Sequence, residues 1–280
     1  MHCRLCESNE FYEYLDLGFT PPADQFRRKE QLGYPETSYP LKVIICENCG
    51  LSQLTHIVSP EILYRNDYPY ESSITKTGDR HWDRFAKSTV RLYGLSKTDV
   101  VVDIGSNVGT LLSKFKKYGT QVCGVDPAAN IVLIAQKNDI DTLPEFFNSK
   151  CVKQIKKRYK QAKIITCTNC FAHINDLSTL MRDVNNLLTD DGVFIFESPH
   201  IMNLLKKLEY DTIYHEHLSY LSLKPLIPFF KKFNLEVVRV EEQDIHGGSF
   251  RVHIAKKNTY KVDNSVGILL KKEVSSKIFN

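Results

Sequence analysis

Val101-Val102-Asp103-Ile104-Gly105-Ser106-Asn107-Val108-Gly109-Thr110 is the stretch that decides the fold. Val100 to Ile104 is a short apolar, β-branched run, the signature of a buried strand. Gly105 lets the backbone turn tightly, and Gly109 permits close helix–strand approach or contact with a ligand. Val108 to Tyr118 reads as the helix that follows. The spacing is Gly-x-x-x-Gly rather than the Gly-x-Gly-x-x-Gly of a dinucleotide site. Asp103 stands just before the first glycine, where a carboxylate repels a pyrophosphate and suits a cation.

Outward from this loop, strands and helices alternate. Gln121 to Val125 reads as a strand, Ala128 to Asn138 as a helix, and Thr142 to Phe146 as a short strand. Cys151 to Tyr159 is a helix, Lys163 to Thr168 a strand, and Leu177 to Leu188 a helix. Asp190-Asp191-Gly192 reads as a turn into the strand Val193 to Phe196. Pro225 to Phe233 reads as a helix, and Glu236 to Val240 and Phe250 to Ala255 as the last strands. This alternation predicts an α/β fold with a mostly parallel sheet covered on both faces. The second strand ends in Gly124-Val125-Asp126, and a carboxylate there accepts both hydroxyls of an adenosine ribose. With Asp103 it favours S-adenosylmethionine, whose sulfonium and ammonium are positive.

Residues 1–55 differ in kind. Cys3-x-x-Cys6 and Cys46-x-x-Cys49 flank a stretch holding Pro21, Pro22, Pro35 and Pro40. Two such pairs supply four thiolates, enough to close a tetrahedral structural zinc site in a small loop-rich module. Cys167-Thr168-Asn169-Cys170 is a third pair with no partner pair, and reads as coincidence. Residues 56–98 read as a helical connector, 99–257 as the α/β domain and 258–280 as a tail with one amphipathic stretch from Val266 to Ile278.

The 280 residues are 42% hydrophobic and 25% charged, with 37 Lys+Arg against 33 Asp+Glu, a net charge of +4. That is globular composition, and the basic residues are too dispersed to imply nucleic acid. The uncharged runs are too short and polar to span a bilayer, and Met1-His2-Cys3-Arg4 opens no apolar signal segment. The expectation is a soluble cytoplasmic protein without membrane association.

Tyr210 to Tyr220 concentrates proton-transfer groups after the fifth strand, with Tyr214-His215-Glu216-His217 at its centre. Histidines near neutral pH are natural general bases, and a neighbouring Glu can fix a tautomer. In an extended segment His215 and His217 would share one side. His173 in Asn169-Cys170-Phe171-Ala172-His173 faces the same crevice by topology, and Ile245 to Ser249 reads first as a turn.

In order along the chain stand the cysteine pairs, Tyr68-Pro69-Tyr70-Glu71-Ser72-Ser73, the Asp103 to Thr110 loop, Asn169 to His173, Phe196-Glu197-Ser198-Pro199, Tyr214 to His217 and His246-Gly247-Gly248-Ser249. This series resembles the sugar C-methyltransferase family acting on nucleotide-linked 4-keto-deoxysugars, from Cys3 to about Lys257. The resemblance implies a class I, Rossmann-like methyltransferase domain behind a zinc-binding module. It implies S-adenosylmethionine as donor and a thymidine-diphosphate 4-keto-6-deoxyhexose, methylated at C3, as acceptor. His217 would be the base, with Tyr214, Glu216, His173 and Tyr68 completing the pocket and Tyr70 an alternative to Tyr68. Asp103, Gly105, Asn107, Gly109, Asp126 and Asn169 would surround the cofactor, and Phe146 or Phe147 would flank its adenine. The family normally continues into a further α/β domain, so the tail reads as a truncated third domain that a partner chain could replace. His200 stands where the family often has Tyr. Methylation of oxygen or nitrogen on a small molecule, or a non-catalytic homologue that binds S-adenosylmethionine, are the competing readings.

Overall fold

The computed structural model describes residues 1–65, 68–69, 71 and 75–279. The N-terminal region forms strands β1 (Phe11–Thr20), β2 (Tyr39–Cys46) and β3 (Ser52–Leu54). Helices α1 (Pro60–Tyr64) and α2 (Lys76–Tyr93) follow. The α/β region runs β4 (Val100–Ile104), α3 (Thr110–Lys117), β5 (Gln121–Val125), α4 (Ala129–Lys137), β6 (Thr142–Leu143), α5 (Ser149–Tyr159), β7 (Ala162–Thr168), α6 (Leu177–Leu187), β8 (Leu188–Pro199) and α7 (Ile201–Lys207). Then come β9 (Ser219–Tyr220), α8 (Leu223–Lys231), β10 (Leu235–Gln243), β11 (Ser249–Lys256) and α9 (Asn264–Ser275).

The large sheet has the order β10-β11-β8-β7-β4-β5-β6. Strands β4 to β8 pair in parallel, and β11 and β10 close one side antiparallel. The order reverses at β4, so β5 and β7 flank it and their carboxyl ends open a crevice there. Val100 to Ile104 is buried along its whole length, Asp103 included, as the apolar run Val100 to Val102 leads one to expect. Helix α2 covers one face through Trp82, Phe85 and Ala86, which pack with Leu112 and Phe115 of α3. Its turn of entry is capped by the Thr75 side chain, which accepts from the Gly78 amide at 3.1 Å, and Gly94 ends it in a left-handed turn.

Three expectations change. The cysteine-bearing region is a sheet of order β1-β2-β3-β9, not a loop-rich module, and its fourth strand comes from residues 219–220. β1 is a half-exposed edge strand, so its burial pattern carries little alternation to read. Cys3, Leu5, Cys46 and Leu51 join the same buried cluster as the α/β core. Asp190 to Gly192 does not break the chain, because β8 runs continuously from Leu188 to Pro199 beside β7. The strand at Thr142 stops at Leu143, where the Glu145 amide turns back to the Leu143 carbonyl and releases Phe146 and Phe147 from the sheet. Among the described residues no helix is long and apolar enough to cross a membrane.

Candidate active site

A cavity of about 830 Å³ lies at the carboxyl ends of the central strands. One end is built by the β4–α3 loop. Gly105 has φ +70°, and its amide and that of Ser106 donate to the Val125 carbonyl at 2.8 and 3.1 Å, folding the turn onto β5. A Cβ on Gly105 would lie 2.9 Å from the Cys170 sulfur, so the loop passes too close to that side chain for any other residue. Gly109, also left-handed, serves packing: its Cβ would strike Ile140. Gly109 is absent from the cavity wall, whereas Asp103, Gly105, Asn107, Asp126, Phe146, Phe147 and Asn169 all line it.

The two carboxylates hold different places. Asp103 is buried, and Thr166 Oγ1 donates to its Oδ1 at 2.7 Å. Burial outweighs that bond and lifts its pKa to about 7, with Asp126 adding to the rise. Asp126 accepts from the Asn107 amide at 2.9 Å and the Ala128 amide at 3.0 Å, one on each oxygen. Each carboxylate oxygen keeps a second lone pair for a hydroxyl. Ser106 and Asn169 line the same end, and Ser106 Oγ and Asn169 Oδ1 are buried without a hydrogen-bond partner, Ser106 Oγ lying against Gly124. Orphaned polar atoms, two carboxylates and two phenyl rings together fit the polar and aromatic demands of S-adenosylmethionine.

The other end carries the proton-transfer groups. Tyr64, Tyr68, His173, Tyr214, Glu216 and His217 line it together. Residues 214–217 form a turn, closed by the His217 amide on the Tyr214 carbonyl at 3.0 Å, so they are not extended. His215 therefore points away from His217. Its Nε2 donates to the Tyr39 carbonyl at 3.3 Å, and it packs edge-on against the Tyr39 ring, outside the cavity. His217 Nδ1 lies 2.7 Å from the Thr212 carbonyl. A carbonyl only accepts, so Nδ1 carries the proton and Nε2 keeps its lone pair. Burial pushes the His217 pKa down to about 4 and that of His173 well below its usual value, leaving both neutral at pH 7. The His217 ring packs tilted against Tyr214 and His173, with centroids 4.1 and 5.0 Å away.

Glu216 is buried, and Tyr68 Oη donates to its Oε2 at 3.3 Å. Burial, then the adjacent Asp24, raises its pKa to about 8. Tyr68 is tied to α4 through its carbonyl, which accepts from Asn130 Nδ2 at 3.0 Å. Tyr70, Ser72 and Ser73 of the same motif lie outside the described residues.

Two residues of this end carry no mark in the sequence. Tyr64 stacks on His173, its hydroxyl 3.4 Å from Nδ1, and Asp24 reaches in from the loop between β1 and β2. Both come from the N-terminal 65 residues, whose proximity only the folded chain reveals. His200, between the cavity-lining Pro199 and Ile201, turns inward instead. Its Nε2 pairs with the buried Glu273 of α9 at 2.7 Å, and Glu273 also accepts from the Lys224 amide at the start of α8 at 2.8 Å.

The sulfurs of Cys3, Cys6, Cys46 and Cys49 all lie within 4.8 Å of one another, with Cys3–Cys49 and Cys6–Cys46 at 3.5 Å. Four thiolates about 2.3 Å from a tetrahedral zinc are spaced about 3.8 Å apart, so this set fits a closed structural site. Arg4, between the first pair, connects it to the cavity wall by donating to Asn175 Oδ1 at 3.0 Å. No such cluster includes Cys167 or Cys170 among the described residues.

The reversed parallel sheet, the glycine turn after β4 and the carboxylate at the end of β5 define a class I S-adenosylmethionine-dependent methyltransferase. Residues 79–240 match the family described as "Methyltransferase domain", and residues 3–64 match the "Putative zinc binding domain" family. The chain belongs to the methyltransferase family. The C-methyltransferase NovU of Streptomyces niveus is 36% identical over 253 residues, 90% of this chain, and the match spans 60% of NovU's length. The fold also superposes on solved methyltransferases. ChlM, the magnesium protoporphyrin IX methyltransferase of Synechocystis PCC 6803 solved with bound SAH, gives a TM-score of 0.50 at 12% identity over 67% of this chain and 90% of that one. A S-adenosylmethionine-dependent methyltransferase of Clostridium acetobutylicum ATCC 824 gives 0.51 at 14% identity, covering 64% and 92%.

Proposed function

We propose that this protein methylates carbon C3 of a nucleotide-linked 4-keto-6-deoxysugar, using His217 to form the enolate. The observation that carries the reading is the His217 tautomer: Nδ1 is committed to the Thr212 carbonyl, and Nε2 is a free lone pair in a cavity whose far end suits the cofactor. Similarity to NovU over most of the chain supports carbon as the methylated atom.

S-adenosylmethionine, when bound by Asp103, Asn107, Asp126 and Asn169, supplies an electrophilic methyl group. Zinc, held by Cys3, Cys6, Cys46 and Cys49, would fix the N-terminal sheet without an open coordination position. The remaining chemistry belongs to the chain. A hydrogen α to a ketone is acidic enough for a positioned base to remove. His217 Nε2 takes the C3 proton, and the electron pair passes into the ketone as its oxygen becomes an enolate. The pKa of His217, lowered by burial, keeps it unprotonated and ready at pH 7. Negative charge developing on the substrate then stabilises the imidazolium that forms. Glu216, held mostly protonated by burial, donates toward the enolate oxygen, with Tyr214 or His173 as further donors. Apolar walls and the aromatic stack exclude water while the enolate persists.

Solvent-deuterium exchange tests this reading. Protein loaded with SAH, which has no methyl to give, is mixed with thymidine-diphosphate 4-keto-6-deoxyglucose in heavy water. C3 deuteration is expected, and it falls by about 10²–10⁴-fold in His217→Asn with SAH affinity retained. Heteroatom methylation needs no enolate, so absence of exchange would reject carbon chemistry.

A further inference from the structure

Asp24 and Glu216 line the same wall of the cavity, and their carboxyls are in hydrogen-bond contact. Glu216 stands in the turn before β9, whereas Asp24 comes from the loop between β1 and β2. That loop is held on both sides of Asp24. Pro22 is buried, and the Gln25 side chain donates to the Ile62 carbonyl at 3.5 Å. Its stem is the paired end of the hairpin, with Thr20 opposite Tyr39.

Two ionised carboxylates cannot hydrogen-bond to one another, because each only accepts. The contact therefore holds one proton between the pair, as carboxyls sharing a site do. Burial decides which of them keeps it. Glu216 is 2% exposed and Asp24 only half-buried, so the ionised form costs less on Asp24. The other titratable groups that line this end with Glu216, among the described residues, are Tyr64, Tyr68, His173, Tyr214 and His217. Burial keeps both histidines neutral and pushes the Tyr64 and Tyr68 phenols up, so none of these is a cation that would ionise Glu216. The Tyr68 bond to Oε2 favours the ionised form, and burial first, then Asp24, outweigh it.

We propose that Asp24 is a positioning residue for the reaction: it pairs with Glu216 around one shared proton, and so keeps a hydrogen-bond donor rather than a second negative charge beside the ketone oxygen of the acceptor. The inference rests on the proposed function. In the empty site the Glu216 O–H turns to Asp24, and a bound ring brings its ketone oxygen as a competing acceptor. The proton stays on Glu216 throughout, and its hydrogen bond strengthens as the enolate oxygen gains charge. Glu216 cannot release that proton to water without setting two like charges side by side. The N-terminal region thereby sets the acid of the α/β domain, besides holding the four thiols.

Asp24→Asn in the full-length, SAH-loaded protein tests it, with Asp24→Ala alongside. Either change removes the facing carboxyl, and the Asn amide can also donate to an ionised Glu216. The alkaline limb of C3 deuterium exchange, set by Glu216 at about 8 in the parent, moves down by about one pH unit. Exchange then falls about fivefold at pH 8 and less than about twofold at pH 6. Glu216→Gln has no such limb, and adding Asp24→Asn to it produces none. A merely structural change in the loop lowers exchange by one factor at every pH and in both backgrounds. That result, or a limb that moves down by less than about half a unit, overturns the proposal. Infrared difference spectra against Glu216→Gln, without acceptor, read the same proton directly. The protonated-carboxyl band of Glu216 titrates near pH 8 in the parent, and about one unit lower when both proteins carry Asp24→Asn. If the parent exchanges no deuterium at any pH, the function proposed above fails. The infrared titration then decides the pairing alone, and an unmoved band overturns it.

Discussion

Asp103 sets stability against cofactor binding, and its replacement by Asn separates the two. The carboxyl is 2% exposed, and burial raises its pKa to about 7 from an unfolded value near 3.9. A carboxyl whose folded pKa is raised is protonated more readily in the native state. Its stability contribution is therefore present at low pH and lost as pH rises through 7. About three pKa units correspond to at most about 4 kcal/mol withheld from the empty protein at pH 8.5, and about 1.5 kcal/mol at pH 5. Asp103→Asn removes this penalty and keeps an oxygen for the 2.7 Å bond from Thr166. At roughly 2–4 °C per kcal/mol, the ligand-free variant melts roughly 5–15 °C above the parent at pH 8.5, and the gain shrinks at pH 5. Cofactor binding moves the other way. The ammonium of SAH favours the ionised carboxylate, so parental affinity rises about tenfold from pH 6 to pH 8 as the ionised fraction grows from about 0.1 to 0.9. In the variant that dependence vanishes and affinity is about tenfold or more below the parental value at pH 8. Differential scanning fluorimetry and calorimetric SAH titration across pH measure both. A variant less stable than the parent at pH 8.5, or one binding SAH with unchanged affinity and pH profile, refutes the assignment.

Three other outcomes follow from the same geometry. Gly105→Ala places a Cβ at φ +70° and 2.9 Å from the Cys170 sulfur, so it destabilises by about 1–3 kcal/mol and abolishes SAH binding, read by melting and titration. Cys46→Ala opens the thiolate set; zinc content by mass spectrometry falls well below one per chain and the melting temperature drops, whereas Cys123→Ala keeps full zinc. Glu216 is active as a protonated donor, so exchange at C3 declines as pH rises through about 8, and Glu216→Gln, which keeps an N–H donor, removes that decline in the pH–rate profile.

The α/β half was legible because its signals are local. β5 occupies the residues its pattern predicts, and the loop after β4 turns where Gly105 stands. The cysteine spacing likewise anticipates the gathered sulfurs. What escaped depends on distant segments. β1 and β2 were hidden because an edge strand buries little and the alternation of β2 breaks where Val43 and Ile44 are both buried. An extended chain would put His215 and His217 on one side, whereas the turn at 214–217 breaks that two-residue alternation and sends His215 to Tyr39. Asp24 and Tyr64 join His173 and Glu216 across more than a hundred residues of sequence, and no spacing rule reaches that far. His200 could not be read as a partner of Glu273, because that pair forms only when α9 docks beside α8.

The most direct test is a methyl-transfer assay with the purified protein, S-adenosylmethionine and freshly made thymidine-diphosphate 4-keto-6-deoxyglucose, with its 3-amino and 3-deoxy analogues in parallel. Mass spectrometry reads the gain of one methyl group and NMR locates it. The account predicts a product carrying a new methyl on C3 and stoichiometric SAH, lost in His217→Asn. A methyl found on oxygen or nitrogen, or none transferred to any of the three ketones while S-adenosylmethionine binds, would contradict it.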